Sequence, residues 1–226
     1  MIDTTSHATC PATPAADEFE AHGLRGPFNA AFFGVMGPYL EWHMRRHKRR
    51  AFGDLPPHVV ELGPGVGANL RYLPAGGTLV AIEPNPHMHR RLRARAGRHG
   101  VRLQLHGLVA EHIDLPDHSV DTVISSLVLC SVTDPDGVLA EVRRILRPGG
   151  TYRFVEHVAA PSGTPTRALQ RAVRRPWAWT FEGCSCERDL AGAICAAGFT
   201  HVDVAPHRLH SPRVPFNTHI AGIARA

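Results

Sequence analysis

Two short motifs carry the residue types with which proteins bind nucleosides. An apolar run ends in Glu61-Leu62 and leads directly into the turn Gly63-Pro64-Gly65-Val66-Gly67, here called the glycine turn. Glu83 ends a second apolar run, twenty positions after Gly63. Glycines let a backbone approach a ligand closely, and a carboxylate at this spacing in a βαβ unit accepts hydrogen bonds from both hydroxyls of a ribose. The pattern predicts a nucleoside site at the ends of two neighbouring strands.

The spacing of the glycines distinguishes this turn from those that hold a pyrophosphate. One residue separates Gly65 from Gly67, whereas the pyrophosphate motif G-x-G-x-x-G has two residues before its third glycine. Glu61 would repel a phosphate but attract, directly or through water, the ammonium of an amino-acid-like ligand. S-adenosylmethionine has both the ribose and the ammonium that this pattern requires.

Further motifs extend the pattern along the chain. E-L-G-P-G-V-G at 61–67, Glu83 and L-R-P-G-G at 146–150 together resemble the class I S-adenosylmethionine-dependent methyltransferases, over residues 53–226. P-N-P-H (84–87), L-V-L-C-S-V (127–132), E-V-R-R-I-L-R-P-G-G (141–150), E-H-V-A-A (156–160) and F-E-G-C (181–184) resemble one branch, the methyltransferase-like thiol S-methyltransferases of animal endoplasmic reticulum. The resemblance implies S-adenosyl-L-methionine as cofactor and S-adenosyl-L-homocysteine as its product.

Apolar runs alternate with helix signals through most of the chain. The strand-like runs cover 58–62, 78–83, 101–106, 121–125 and 151–156. A short helix is expected from Ala68, and Asn85-Pro86 and Asp134-Pro135 are typical of helix starts between the runs. The alternation predicts an α/β doubly wound sheet with its switch point at the first strand. The resemblance implies a single-domain, Rossmann-like fold with a seven-stranded, mostly parallel sheet and an antiparallel last strand.

Composition divides the chain into three segments. Residues 1–26 lack a hydrophobic period and are predicted to form a disordered tail. Residues 27–52 are aromatic and then basic, which predicts a helical lid, either one amphipathic helix or a pair broken at Gly37-Pro38. Residues 53–226 form the predicted methyltransferase domain, with a cap insertion at about 160–186.

The net charge of +5 and the basic run at 45–50 raise the question of nucleic-acid binding. Basic residues near a helix C-terminus favour a solvated helix end. The segment Ser125-Ser126-Leu127-Val128 also differs from the N-P-P-Y-like loop that holds a flipped base in many enzymes. We expect no nucleic-acid partner. Contact of the basic helix with an anionic membrane surface is the alternative, and the oligomeric state is left open.

The cysteines and the apolar runs bear on the compartment. Five cysteines without an export signal indicate reduced thiols, and Cys184-Ser185-Cys186 lacks a second pair at metal-binding spacing. We therefore expect no metal site. The apolar runs are shorter than the roughly 20 residues that span a bilayer. Because the animal relatives carry an N-terminal anchor that we do not find here, we expect a cytoplasmic protein without a transmembrane segment.

Ligands of such sheets lie beyond the carboxyl ends of the strands, which selects the candidate cofactor residues. They are Glu61, Gly63, Pro64, Gly65, Gly67, Asn69, Glu83, Pro84, Ala110, Glu111, Ser126 and Leu127. The resemblance implies an adenine-binding Asp where this chain has Val109. Glu111, Asp114 or backbone groups are the alternatives for that contact.

Two histidines are the candidates for proton transfer, because a histidine can accept a proton at neutral pH. His157 follows the fifth strand and is preferred to His112. A structural role for His157 is the alternative. The candidate substrate-pocket residues are mostly aromatic and come from several segments: Phe33, Tyr39, Cys130, Trp177, Trp179 and His219.

We expect methyl transfer to the thiol of a small, fairly apolar molecule, as in sulfur metabolite tailoring or detoxification. A thiol with a pKa of roughly 8.5 already forms some thiolate at neutral pH, so little acid–base machinery is needed. One alternative is an O- or N-methyltransferase of a quinone, lipid or polyketide-like compound. Another is methylation of a soft species such as arsenite, for which Cys130, Cys184 and Cys186 would have to converge. The last is a non-catalytic S-adenosylmethionine-binding module.

Overall fold

The computed structural model describes residues 24–209 and 214–226. Seven strands form one sheet in the order β3-β2-β1-β4-β5-β7-β6. The strands are β1 (His58–Leu62), β2 (Thr78–Ile82), β3 (Arg102–His106), β4 (Val120–Ser126), β5 (Leu146–His157), β6 (His201–Arg208) and β7 (Thr218–Arg225). The helices are α1 (Arg25–Phe52), α2 (Pro86–Arg98), α3 (Pro135–Ile145), α4 (Pro165–Thr180) and α5 (Leu190–Ala196). The predicted tail lies almost wholly outside the described residues.

The sheet confirms the predicted fold class. The first five strands run parallel to their neighbours in the sheet, whereas β7 runs antiparallel to both β5 and β6. β1 lies between β2 and β4, with Leu62 opposite Ile82 on one side and Ser125 on the other. The chain therefore changes direction across the sheet at β1, which brings the carboxyl ends of these strands together.

Local side-chain bonds explain where three helices begin. The side chains of Asn85, Asp134 and Thr164 accept hydrogen bonds from the backbone N–H groups of the first helical turns of α2, α3 and α4. Each cap is followed by a proline in the first turn, where no intrahelical donor is lost.

Helices cover both faces of the sheet. Val138, Leu139 and Val142 of α3 are fully buried in one core, and Met44 and Phe52 of α1 are buried in the other. α1 is continuous through Pro38, so the single helix is found and the alternative of a pair broken at Gly37-Pro38 is not.

Between β1 and β2 the chain is less helical than its sequence predicts. The helix expected from Ala68 is only the single 3-10 turn Leu70–Tyr72. No helix in the described ranges, 24–209 and 214–226, combines the length and apolarity needed to cross a membrane.

Candidate active site

The glycine turn connects β1 to the 3-10 turn with a backbone that favours glycine. Gly63, Gly65 and Gly67 have φ values of 54°, 57° and 85°, a region in which L side chains are strained. A Cβ on Gly63 would lie 2.6 Å from Val128 Cγ2, whereas a Cβ on Gly65 would meet only Met88 Sδ, at 3.8 Å. The backbone at Gly65 is therefore open to a ligand.

Glu83 follows β2 and is held against the glycine turn. Its carboxylate accepts hydrogen bonds from the backbone N–H of Gly65 at 2.8 Å and of Asn85 at 2.9 Å. Burial raises the pKa of Glu83 to about 7. Because each carboxylate oxygen has two lone pairs, both oxygens retain capacity for the hydroxyls of a ribose.

Glu61 lies beneath the same turn and is completely buried. Its Oε1 accepts a hydrogen bond from Asn69 Nδ2 at 2.7 Å, while its Oε2 is buried without a hydrogen-bond partner among the described residues. Burial raises its pKa to about 7, against the effects of Asn69 and of the Lys48 charge. A buried carboxylate oxygen without a partner costs about 1–3 kcal/mol or more, so this site fits a cationic ligand such as an ammonium.

A buried polar network connects α1 to Glu61 through Asn69. Lys48 Nζ donates to Asn69 Oδ1 at 2.8 Å and to Glu41 Oε2 at 3.0 Å. Tyr72 donates its hydroxyl to the other oxygen of Glu41 at 2.6 Å. The sequence predicts Lys48 within a solvated basic run, but only 2% of it is exposed. Its spacing of four from buried Met44, one helical turn, was the signal that could have identified it.

The turn after β4 is fixed by a third buried carboxylate. Glu156 Oε1 accepts hydrogen bonds from Ser125 Oγ at 2.7 Å and from the backbone N–H of Val128 at 3.2 Å. Leu127, which lies between Ser125 and Val128 in sequence, has a φ of 64° and lines the cavity described next. Burial raises the pKa of Glu156 to about 7.

A cavity of about 410 Å³ opens beside the ends of β4 and β5. Most of its lining is apolar, and five of the lining residues are aromatic: Phe32 and Phe33 of α1, Trp177 of α4, Phe181 and Phe216. Its polar groups are Ser131 and a set of three side chains, Cys130, His157 and Cys184, here called the sulfur–histidine cluster. An apolar wall with a few convergent polar groups is typical of a small-molecule site.

Several predicted pocket residues lie elsewhere. Phe33, Cys130 and Trp177 line the cavity as expected. Trp179, two residues beyond Trp177, faces the opposite side of α4 and is 70% exposed. Tyr39 packs against the ring of His43, because it is rotated about 100° on α1 from the cavity-lining Leu40.

The two remaining histidine predictions also need correction. His219 does not line the cavity but is buried behind Phe216, with ring centroids 4.6 Å apart. His112 is exposed in the segment after β3 and lies outside the cavity lining. Glu111, predicted at the adenine, uses Oε1 to accept the backbone N–H of Thr133 at 2.8 Å.

The sulfur–histidine cluster joins distant parts of the chain. Cys184 Sγ lies 3.5 Å from Cys130 Sγ and 3.5 Å from His157 Nδ1, and Trp177 Nε1 donates to it at 3.3 Å. The hydrogen bond between Cys184 and Cys130 lowers the pKa of Cys184 well below its ordinary value and raises the pKa of Cys130. Cys186 is close to Cys184 in sequence but is not part of the cluster, because its thiol donates to the backbone oxygen of Gln170.

Comparisons with known proteins identify methyltransferases that are similar to this chain. A methyltransferase domain model matches residues 60–154. The chain is 35% identical over 201 residues to thiol S-methyltransferase TMT1B of Homo sapiens, covering 84% of this chain and 82% of that protein. It is 36% identical over 168 residues to human thiol S-methyltransferase TMT1A, with 70% and 69% covered. An S-adenosylmethionine-dependent methyltransferase of Thermotoga maritima shares the fold, with a TM-score of 0.59 and 18% identity over 86% of this chain and 98% of that one.

Proposed function

This chain belongs to the class I S-adenosylmethionine-dependent methyltransferases, and we propose that its methyl acceptor is the thiol of a small, fairly apolar molecule. The observation that carries the proposal is the cavity of about 410 Å³, whose wall is mostly apolar and rich in aromatic rings and whose polar groups include two sulfurs and an imidazole. The names of the human relatives, thiol S-methyltransferases at 35% and 36% identity, favour the same acceptor.

The residues around the glycine turn fit the cofactor. Glu61 would accept the ammonium with its unpartnered Oε2, Glu83 would accept the ribose hydroxyls, and the open backbone at Gly65 lets the ligand approach. When bound, S-adenosylmethionine supplies a methyl group on a positively charged sulfur.

The protein's main task is then alignment and exclusion of water. Transfer from a sulfonium is an in-line displacement, so a thiolate held at the correct distance needs little further chemistry. The aromatic residues of the cavity contact the apolar part of the acceptor, and the acceptor's sulfur faces the sulfur–histidine cluster. His157 accepts the thiol proton in this proposal, because its Nδ1 is directed to the sulfur-rich end of the cavity.

An assay with matched acceptors tests the proposal. S-adenosylhomocysteine release is measured for an aryl thiol, the phenol of the same carbon skeleton and the corresponding amine. We expect a strong preference for the thiol. Activity on the phenol or amine alone would favour the O- or N-methyltransferase alternative, and cofactor binding without turnover of any acceptor would favour a binding module.

A pair of histidine variants tests the proton acceptor. His157→Ala should reduce thiol turnover more at about neutral pH, where the acceptor is mostly protonated, than at alkaline pH, where it forms its own thiolate. His99→Ala is the matched control, because His99 is exposed at the end of α2. Unchanged thiol turnover by His157→Ala at every pH would show that His157 is not the proton acceptor.

A further inference from the structure

We propose that Cys130, Cys184 and His157 form a zinc-binding site that opens onto the cavity. One potential ligand atom from each side chain lies within 4.8 Å of the other two. All three residues are buried, and all three line the cavity. Two thiolates, one imidazole and an exchangeable fourth ligand are a known donor set for zinc that takes part in chemistry.

Two of the three edges between the ligand atoms have nearly the lengths of a zinc tetrahedron. Zn–S bonds of about 2.3 Å and Zn–N bonds of about 2.0–2.1 Å imply S···S edges of about 3.8 Å and S···N edges of about 3.5 Å. The corresponding distances are 3.5 Å between the two cysteine sulfurs and 3.5 Å between Cys184 Sγ and His157 Nδ1. Shifts of about 0.3 Å or less would therefore complete these two edges.

The hydrogen bonding of His157 directs a lone pair toward the cluster. Nε2 lies 2.8 Å from the backbone oxygen of Pro215, which can only accept a hydrogen bond. Nε2 therefore carries a proton, and in the neutral ring Nδ1 has the lone pair. A carbonyl that accepts from the distal nitrogen is the usual support of a metal-bound histidine.

The backbone keeps the two cysteines together independently of a metal. The N–H of Ser185 donates to the carbonyl oxygen of Cys130 at 2.7 Å, which joins the segment after α4 to the turn after β4. Glu156 adds a nearby buried carboxylate, whose Oε2 has no hydrogen-bond partner in the described part of the chain. In its ionised form this carboxylate favours a cation at the cluster.

The donor atoms select the type of metal. Sulfur and imidazole ligands favour zinc and other soft or borderline ions, whereas magnesium and calcium require oxygen ligands. We therefore commit to Zn²⁺, with magnesium as the negative control.

The fourth position faces the cavity and would receive the acceptor's sulfur. This step rests on the proposed function. The acceptor thiol loses its proton to solvent as its sulfur replaces water on the zinc. The sulfur's electron pair then forms the new S–C bond to the methyl group, while the donor's C–S bond breaks and leaves its electron pair on the donor sulfur. With zinc bound, Nδ1 is a ligand, so the metal replaces His157 in stabilising the thiolate.

Metal binding by the full chain tests the site without an activity assay. Protein kept reduced and stripped of metal is dialysed against Zn²⁺ or Mg²⁺, and the bound metal is quantified. We expect one zinc per chain and no magnesium, and Co²⁺ substitution should give thiolate charge-transfer and tetrahedral absorption bands. Absence of zinc binding, or the same binding without thiolate bands, would overturn the proposal.

Cysteine variants locate the ligands. Cys130→Ser and Cys184→Ser should each weaken zinc binding by more than about 100-fold, beyond the usual effect of losing a residue that only supports a ligand. Cys195→Ser is the matched control, because Cys195 is exposed. Retained S-adenosylhomocysteine binding shows that each variant is folded. Equal zinc affinity of all three variants would contradict the assigned ligands.

Turnover separates the two proposals. If stripped protein methylates thiols at the full rate, the fourth-position assignment fails while zinc binding stands. If no acceptor is methylated under any condition, the proposed function fails, and zinc binding remains measurable in the same samples.

Discussion

The cofactor end and the acceptor end of this active site are built in different ways. At the cofactor end, the glycine turn and Glu83 lie within 21 consecutive residues, and backbone groups form much of the surface. At the acceptor end, the cavity wall comes from α1, the turn after β4, α4 and residues 215–216. The first end is specified by local sequence, whereas the second depends on how distant segments pack.

The buried Lys48 network is the place where the two ends meet, so disrupting it should have the largest effect. Lys48→Met removes the buried cation that pairs with Glu41 and leaves only the exposed Arg71, at 3.8 Å, so we expect about 3–5 kcal/mol of lost stability in denaturant unfolding. Arg46→Met, on an exposed position of the same helix, should change stability by less than about 0.5 kcal/mol. Similar losses of stability in the two variants would show that Lys48 of α1 does not stabilise the network around Glu61.

Replacing Glu83 should separate the cofactor end from the acceptor end. Glu83→Ala removes the proposed acceptor of two ribose hydrogen bonds, each worth about 1.5–3 kcal/mol with a charged partner. We expect S-adenosylhomocysteine to bind at least about 100-fold more weakly by calorimetry. Asp121→Asn is the control, since Asp121 is an exposed carboxylate at the start of β4. Unchanged binding by Glu83→Ala would contradict the cofactor assignment.

Two tryptophans on α4 offer a matched test of the acceptor end. Trp177 lines the cavity and donates to Cys184, while Trp179 is exposed. Trp177→Ala should lower kcat/KM for a thiol at least about tenfold through loss of aromatic packing, without changing cofactor affinity. Trp179→Ala should be unchanged in both measurements. A larger loss of kcat/KM in Trp179→Ala than in Trp177→Ala would show that the acceptor does not bind in this cavity.

The smallest effect should be the pH dependence of cofactor affinity. Burial raises the pKa values of Glu61 and Glu83 to about 7, so both lose protons between about pH 6 and pH 8. An ionised Glu61 attracts the cofactor ammonium, and we expect affinity to rise severalfold, up to about tenfold, over this interval. Glu61→Gln should flatten the rise. A cofactor affinity that decreases as the pH rises would contradict the proposed contact between Glu61 and the ammonium.

The same carboxylates have the opposite effect on the stability of the cofactor-free protein. Their folded-state pKa values lie above the unfolded value of 4.5. Their stabilising contribution is therefore fully present below about pH 4.5 and is lost as the pH rises through about 7. Cofactor binding should offset part of this loss.

The fold was largely predictable because its signals are local. Apolar runs mark the strands, and Asn85 and Asp134 cap the helices that follow β2 and β4. One prediction failed and one alternative was decided by the structure. The helix expected at Ala68 is reduced to a single turn. Of the two alternatives predicted for residues 27–52, the single helix is found, because α1 continues through Pro38.

The candidate site was predictable only in part, for the same reason. The convergence of Glu83 and Gly65 follows from strand order and one turn. The approach of Cys184 to Cys130 does not, because 54 residues and the whole of α4 separate them in sequence. Trp177 and Trp179 were both expected in the pocket, and only the rotation of α4 decides between them.

A crystal structure with S-adenosylhomocysteine and an aryl thiol tests the proposed arrangement of donor and acceptor most directly. We predict that the cofactor's ammonium contacts Glu61 and its ribose contacts Glu83. The acceptor sulfur should lie beside the sulfur–histidine cluster, and a methyl group placed on the cofactor sulfur should be about 3–3.5 Å from it. An acceptor bound outside the cavity, or a cofactor whose sulfur faces away from Cys184 and His157, would contradict this arrangement.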